Sequence, residues 1–334
     1  MNAKMTKIAV MGDGSWGTTL AILLAKKGHA VSLWGAFPEY IRFLSKMREN
    51  VKFLPQFKIP ASIDITDNIK QATNNARIIV IAIPSQFVRK TIAAHLRGVD
   101  LSGLILLSVV KGIEQKTLKT VSQILKEELA HDKLCVLSGP TIALEVAKEV
   151  PTSAVIASED IKVAEEAQEV FMTQRFRLYT STDTLGVELG GSLKNIIAIA
   201  AGISDGLGFG TNAKAALFTR GLVEIKRLGV IMGAKEETFN GLSGIGDLMT
   251  TCISPYSRNR HVGEEIAKGA KLTEIVQKMD QIAEGVYTTE SALDLAKKFN
   301  TQMPITEQVY NILFKDKNPL EAVTDLMTRT RKAE

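Results

Sequence analysis

Lys194 lies in the segment Leu189-Gly190-Gly191-Ser192-Leu193-Lys194-Asn195-Ile196-Ile197. Read as a helix, the segment puts Gly190, Gly191, Ala198 and Ala201 three, four and seven residues from the lysine, on the face it shares. Leu189, Leu193, Ile196, Ile197 and Ala200 form the apolar remainder. An amine among such small side chains leaves room for a ligand, and an ammonium is suited to protonate a developing oxyanion. A close helix crossing, with the lysine reaching out to water, accounts for the same stretch equally well. Further along, Gly246-Asp247 places a carboxylate after a glycine-rich break. Ser257-Arg258-Asn259-Arg260 then sets guanidinium forks beside an amide, a donor set fitted to a phosphate dianion. A surface loop paired with helix carboxylates is the competing reading of that cluster.

These groups need a scaffold, and the N-terminus names one. Lys7-Ile8-Ala9-Val10-Met11 reads as a buried strand, Gly12-Asp13-Gly14-Ser15-Trp16-Gly17 as a tight turn, and the residues through Leu20, Leu23 and Leu24 to Lys27 as a helix. In this order Gly12 permits the turn, Gly14 lets a pyrophosphate approach the backbone, and Gly17 lets helix and strand pack closely. The context favours a dinucleotide site over a merely tight strand-helix turn. After the second strand, Ala30 to Trp34, an acid would favour NAD and a basic residue a 2′-phosphate. Gly35-Ala36-Phe37 supplies neither, so the sequence leaves NADP and NAD both open.

The runs Ile78 to Pro84 and Leu104 to Val110 are continuously aliphatic, as in strands covered on both faces. They alternate with helices expected over 86–96 and 116–129, which makes the sheet parallel. Further strands are expected over 134–137, 152–157 and 176–179, with a helix over 161–173. Lys111-Gly112-Ile113-Glu114 and Ser138-Gly139-Pro140-Thr141-Ile142-Ala143 fall at the carboxyl ends of strands, where such sheets bind ligands. The second of these can hold an anion, or can simply cap a helix from Thr141 to Glu145. Beyond Tyr179 the pattern is helical, with a loop expected over 205–210. The fold class is α/β, with a dinucleotide-binding domain over 1–185, built on a mostly parallel sheet, and an all-α domain over 186–334.

At 334 residues, 45% hydrophobic and 23% charged, the chain has the composition of an ordinary globular protein. A net charge of +5, spread along the chain, weakly favours small anions, and no basic stripe with interleaved aromatics points to nucleic acid. The two cysteines, Cys135 and Cys252, are far apart and lack metal-ligand spacing, which suits free thiols in a reducing cytoplasm and no metal. The apolar run Ile196 to Ile203 falls short of the roughly 20 residues that span a bilayer, so no membrane anchor is expected.

Taken together, the motifs at Gly12, Lys111, Ser138, Gly190, Gly246 and Ser257 resemble the NAD(P)-dependent glycerol-3-phosphate dehydrogenases. The Gly-Ser-Trp-Gly form of the turn is similar to the bacterial branch. The resemblance implies a Rossmann-like domain followed by a helical one, and reversible reduction of dihydroxyacetone phosphate to sn-glycerol 3-phosphate, a precursor of glycerophospholipids. It further implies that Lys194 is the catalytic acid and base, helped by Lys111 and oriented by Asp247. Cofactor contacts are implied for Gly12, Gly14, Ser15, Trp16, Gly17, Lys111, Ala143, Arg258 and Glu284. Substrate contacts are implied for Lys111, Gly139, Thr141, Lys194, Asn195, Asp247, Thr251, Ser257, Arg258 and Asn259, and the assembly for a homodimer. The sequence departs from the family after the second strand, where members that use NADPH often carry His or Arg.

Two other readings are open at this level. A 3-hydroxyacid or 6-phosphogluconate-type dehydrogenase also joins a dinucleotide domain to a helical domain with a catalytic lysine. A non-catalytic NAD(P)-sensing protein would need the dinucleotide domain alone. None of His29, His95, His131 and His261 lies in a motif, which argues against a histidine-based hydroxyacid dehydrogenase.

Overall fold

The aliphatic runs of the N-terminal half form an eight-stranded sheet in the computed structural model, which describes residues 5–331. In chain order the strands are β1 (Lys7–Met11), β2 (Ala30–Trp34), β3 (Glu49–Asn50), β4 (Leu54–Lys58), β5 (Asp64–Thr66), β6 (Ile78–Ile81), β7 (Ile105–Ser108), β8 (Leu134–Ser138), β9 (Thr152–Ala157) and β10 (Phe176–Ser181). β3 and β4 make a separate antiparallel hairpin, and the others lie in the order β10-β9-β8-β7-β6-β1-β2-β5. Strands β1, β6 and β7 are buried over nearly their whole length, as their aliphatic sequences require. Winding changes direction between β1 and β6, where open α/β sheets form their ligand crevice.

Every neighbouring pair in the sheet is parallel except β8 with β9, where Val136 faces Ala157 in antiparallel register. The expectation of a mostly parallel sheet holds, and the reversal has a local cause. A parallel return needs a crossover as long as the strand, usually a full helix. Between β8 and β9 the chain forms only the five-residue helix Ala143–Ala147, short of a full crossover helix.

The described residues fall into two compact units. The first runs to Lys111 and resumes over Thr120–Glu188; the second takes in Gly112–Lys119 and everything from Leu189 onward. The excursion at Gly112–Lys119 is not marked by composition. It is held by hydrogen bonds, from Ser291 Oγ to the Ile113 carbonyl at 3.2 Å and from Gln115 Nε2 to Glu290 at 2.5 Å. Here the helix expected from Lys116 is corrected: it begins at Val121, because Lys116 and Leu118 take left-handed backbone with φ of 66° and 59°.

The helix Thr184–Gly206, which belongs to the second unit from Leu189 on, runs for 23 residues, straight through part of the expected loop. By length and apolarity it could cross a bilayer, but its apolar window is completely buried within the protein. Gly202 does not break it because glycine serves packing there. A Cβ on Gly202 would lie 1.9 Å from the Arg260 carbonyl, and one on Gly263 would lie 2.0 Å from the Ile199 carbonyl. The helices Thr184–Gly206 and Arg258–Ala267 therefore touch backbone to backbone, glycine against carbonyl, in both directions. The helix Thr211–Ile231 carries Glu224, whose carboxylate accepts hydrogen bonds from the Ile305 and Thr306 amides at 2.7 and 3.2 Å. It thus caps the helix Pro304–Phe314 from a distant part of the chain. Burial pushes the Glu224 carboxyl up to about 7, against the pull of those hydrogen bonds.

Two outcomes follow. Gly202→Ala forces the crossing helices apart, and should cost about 2–3 kcal/mol by the usual penalty for overpacking, read as a lowered urea midpoint; an unchanged midpoint refutes the crossing. Glu224 ionises near 4.5 when unfolded and near 7 when folded, so between those values the folded chain holds the extra proton. Stability therefore falls as pH rises through that window, by up to about 3 kcal/mol. Urea titrations at pH 5 and pH 7.5 should show a smaller loss in Glu224→Gln than in the wild type; an equal loss refutes the assignment.

Candidate active site

In the first unit the turn after β1 is shaped by contacts rather than by side chains. Gly12 has φ of +124°, a conformation L residues avoid, and a Cβ there would lie 2.5 Å from the Ala82 carbonyl at the end of β6. A Cβ on Gly17 would lie 1.9 Å from the Gly12 carbonyl, so turn and helix are pressed together. Gly14, by contrast, faces open space, with nothing within 4 Å of where its Cβ would be. It is the N-cap of the helix Ser15–Lys26, and no side chain caps that helix. A closed turn, an open Gly14 and an uncapped helix start are what a dinucleotide pyrophosphate requires, and these residues fit it. Trp16 packs edge-on against Phe176 with centroids 6.5 Å apart, and its Nε1 is buried without a hydrogen-bond partner.

Asn50 also belongs to this turn, and sequence reasoning missed it. Its Nδ2 donates to the Asp13 carbonyl at 2.7 Å and to Thr18 Oγ1 at 2.8 Å. It sits in the two-residue strand β3, with no motif around it to signal the contact.

Lys111 leaves the end of the β7 segment and donates from Nζ to the Gly139 carbonyl at 2.8 Å and to Thr141 Oγ1 at 3.1 Å. The structure thus brings together three predicted residues from two strand ends. Gly139 has φ of +142°, with Ala154 close against it. Thr141 does not cap the following helix, a correction to that reading: Ile142 is the N-cap, and the Thr141 hydroxyl turns back to the Gly139 carbonyl at 3.1 Å. Ala143 opens that helix, and its carbonyl accepts from Thr19 Oγ1 at 3.3 Å.

In the second unit Lys194 is 4% exposed, which rules out the reading in which it reaches water. Its Nζ lies 2.5 Å from Asp247 Oδ1 and 2.5 Å from Thr251 Oγ1. Asp247 and Thr251 are one turn apart on the helix Asp247–Ile253, so both face the lysine, and Thr251 Oγ1 also donates to Asp247 at 3.3 Å. The expected break before Asp247 is instead a π-helical turn, Leu242–Gly246, running into that helix. A Cβ on Gly190 would lie 2.5 Å from the Ser243 carbonyl, so the small face beside Lys194 seats this turn.

Asn195, one residue on, accepts from Asn259 Nδ2 at 2.9 Å, while Asn259 Oδ1 accepts from the Gly285 amide at 2.9 Å. The cluster around Ser257 divides by role. Ser257 caps the helix Arg258–Ala267, accepting from the Arg260 amide at 3.2 Å. Arg260 is taken up by Asp205 and Glu264, at 2.8 and 2.7 Å, as the surface-pairing reading expects. Arg258 is exposed and donates to the Ile282 carbonyl at 2.7 Å, beside Glu284, the first residue of the helix Glu284–Lys298. Among the described residues no group of three or more His, Cys, Asp and Glu side chains converges as a metal site needs. His29 and His131 are spent on backbone contacts, to the Val170 and Leu104 carbonyls at 3.2 and 2.9 Å. Cys135 and Cys252 are free and buried, and burial pushes both thiols up to about 12.

Comparison with known proteins gives the family. The family model for the NAD-dependent glycerol-3-phosphate dehydrogenase N-terminus matches residues 7–164, and that for the C-terminus matches residues 183–324. The chain is 51% identical to a glycerol-3-phosphate dehydrogenase (NAD(P)+) of Chlorobium phaeobacteroides over 98% of its length and 99% of that protein's. It is 50% identical to the protein of the same name from a Thermoanaerobacter strain, over 98% of each. The crystal structure of glycerol-3-phosphate dehydrogenase from Coxiella burnetii superposes with a TM-score of 0.94 at 38% identity, covering 97% of this chain and 99% of that one. The chain belongs to the NAD-dependent glycerol-3-phosphate dehydrogenase family.

Proposed function

We propose that the protein catalyses the reversible reduction of dihydroxyacetone phosphate to sn-glycerol 3-phosphate with NAD(P)H, and that Lys194 is its acid and base. The observation that carries this reading is a buried lysine fixed by Asp247 and Thr251 in a chain of this family. Gly12, Gly14, Ser15, Trp16 and Gly17 would hold the pyrophosphate and its neighbours at the helix start, with Lys111 and Ala143 at the adjoining strand ends. The bound nicotinamide supplies the hydride that reduces the substrate carbonyl.

As the carbonyl carbon accepts a hydride, negative charge builds on its oxygen. Lys194 donates a hydrogen bond to that oxygen and then a proton, leaving a neutral amine that solvent reprotonates. In the reverse direction the neutral amine takes the hydroxyl proton as the hydride departs. Asp247 and Thr251 hold Nζ in one place, which spares the reaction the entropy of ordering a long side chain. Asn195 and Asn259 fix the same stretch of helix through the Gly285 amide. Arg258, with Ser257 and Asn259, would hold the substrate phosphate from the second unit, with Glu284 a cofactor contact there, and Gly139 and Thr141 are substrate contacts of the first unit. The product feeds glycerophospholipid synthesis, and we place the enzyme in the cytoplasm as a homodimer.

Purified protein should oxidise NADH or NADPH only when dihydroxyacetone phosphate is added, and oxidation that does not require it refutes the substrate. Lys194→Ala should lower kcat by about 10²-fold or more, the usual scale of acid-base catalysis. The variant leaves a buried carboxylate without its partner, so retained NADH binding must accompany the loss to show that the fold survives. Near-normal turnover would sink the assignment. Arg258→Ala should raise KM for dihydroxyacetone phosphate, and a change confined to cofactor affinity would put the phosphate site elsewhere.

A further inference from the structure

Dinucleotide domains usually read the adenosine ribose with an acid after the second strand, and this chain has Gly35-Ala36-Phe37 there. In the structure a carboxylate reaches the same place from the glycine turn. A Cβ on Gly35 would lie 2.5 Å from Ile41 Cδ1, 2.8 Å from Asp13 Cγ and 2.9 Å from Asp13 Oδ2. The Asp13 carboxyl therefore rests where a side chain at position 35 would begin, and Gly35 is what leaves it the space.

This placement is held from several sides. The Gly12 amide donates to the Trp34 carbonyl at 2.9 Å, tying the turn to the end of β2. The Asp13 carbonyl accepts from Asn50 Nδ2 at 2.7 Å and from Thr18 Oγ1 at 3.3 Å, which fixes the backbone from which the side chain projects. Yet Asp13 Oδ2 is buried without a hydrogen-bond donor. Burial raises the pKa of this carboxyl, against the pull of a hydrogen bond from its own backbone amide. A buried acceptor left unmade is costly, and a donor arriving there recovers that cost. The strand end adds no cation of its own: Gly35, Ala36 and Phe37 are followed by Pro38 and by Glu39, which is acidic.

We infer that Asp13 replaces the missing acid after β2: it accepts a hydrogen bond from the adenosine ribose hydroxyls and disfavours a 2′-phosphate, so that the enzyme prefers NAD(H) to NADP(H). A ribose hydroxyl donates to a carboxylate, whereas a 2′-phosphate would bring a second anion against it. The inference rests on the dinucleotide reading of the glycine turn and narrows it to one class of cofactor.

Isothermal titration calorimetry of the full chain with NADH and with NADPH, without substrate, tests it directly. The wild type should bind NADH at least about tenfold more tightly than NADPH, given the cost of juxtaposing like charges. Asp13→Asn keeps the shape and removes the charge, and Asp13→Ala removes both. Each should shrink the preference by about tenfold or more, chiefly by tightening NADPH, and binding of either cofactor shows that the variant is folded. A wild type that prefers NADPH, or an unchanged ratio in variants that still bind, overturns the inference and leaves the dinucleotide site standing. A wild type that binds neither cofactor overturns the dinucleotide reading and this inference with it.

Discussion

The arrangement in the second unit depends on one buried ion pair. Taking an ammonium and a carboxylate out of water costs several kcal/mol per ion, and their attraction offsets this only when the geometry is close and the remaining hydrogen bonds are made. Lys194 and Asp247 meet that condition at 2.5 Å, with Thr251 bonded to both. Such a pair tolerates little drift, so its two helices must be held in register. Gly190 does this by seating the π-helical turn before Asp247, while Gly202 locks the same helix against the one that carries Asn259. The small residues around Lys194 thus bring the backbones close enough for its partners to reach it.

A second economy runs through both units. Glu188 in the first unit accepts from the Ser122 amide at 2.8 Å and its hydroxyl at 2.5 Å, as Glu224 does for Ile305 and Thr306 in the second. Each is a buried carboxylate at the start of a helix to which it does not belong. The helix N-terminus offers unpaired amides and partial positive charge, and the carboxylate offers the acceptor. Burial raises the pKa of both acids, so each contact trades desolvation against the order it imposes on a distant helix.

What could be read from the sequence is what local pattern encodes. Ala30 to Trp34 and Thr152 to Ala157 were legible to the residue, because aliphatic runs bounded by turn residues leave few alternatives. The glycine turn was legible because its order, strand then turn then helix, is itself the signal. The reversal at β9 was not, since it turns on the shortness of a helix rather than on its composition. The loop expected from Asp205 is helix as far as Gly206: glycine lowers helix propensity locally, and only the packing of Ala267 against Gly206 explains its use. The same limit hid Asn50, and the cap that Ser257 makes for its own helix was missed as well. Contacts made across long stretches of chain leave no periodicity to read.

The two cysteines fall one to each unit, Cys135 on β8 and Cys252 on the helix Asp247–Ile253. Alkylating reagents attack the thiolate, and a thiol that ionises near 12 and has no access to solvent offers them almost none. Modification must wait for the surrounding structure to open. The chain therefore carries a separate chemical clock in each half. The order in which the two sulfurs become labelled records which half comes apart first, with no probe introduced.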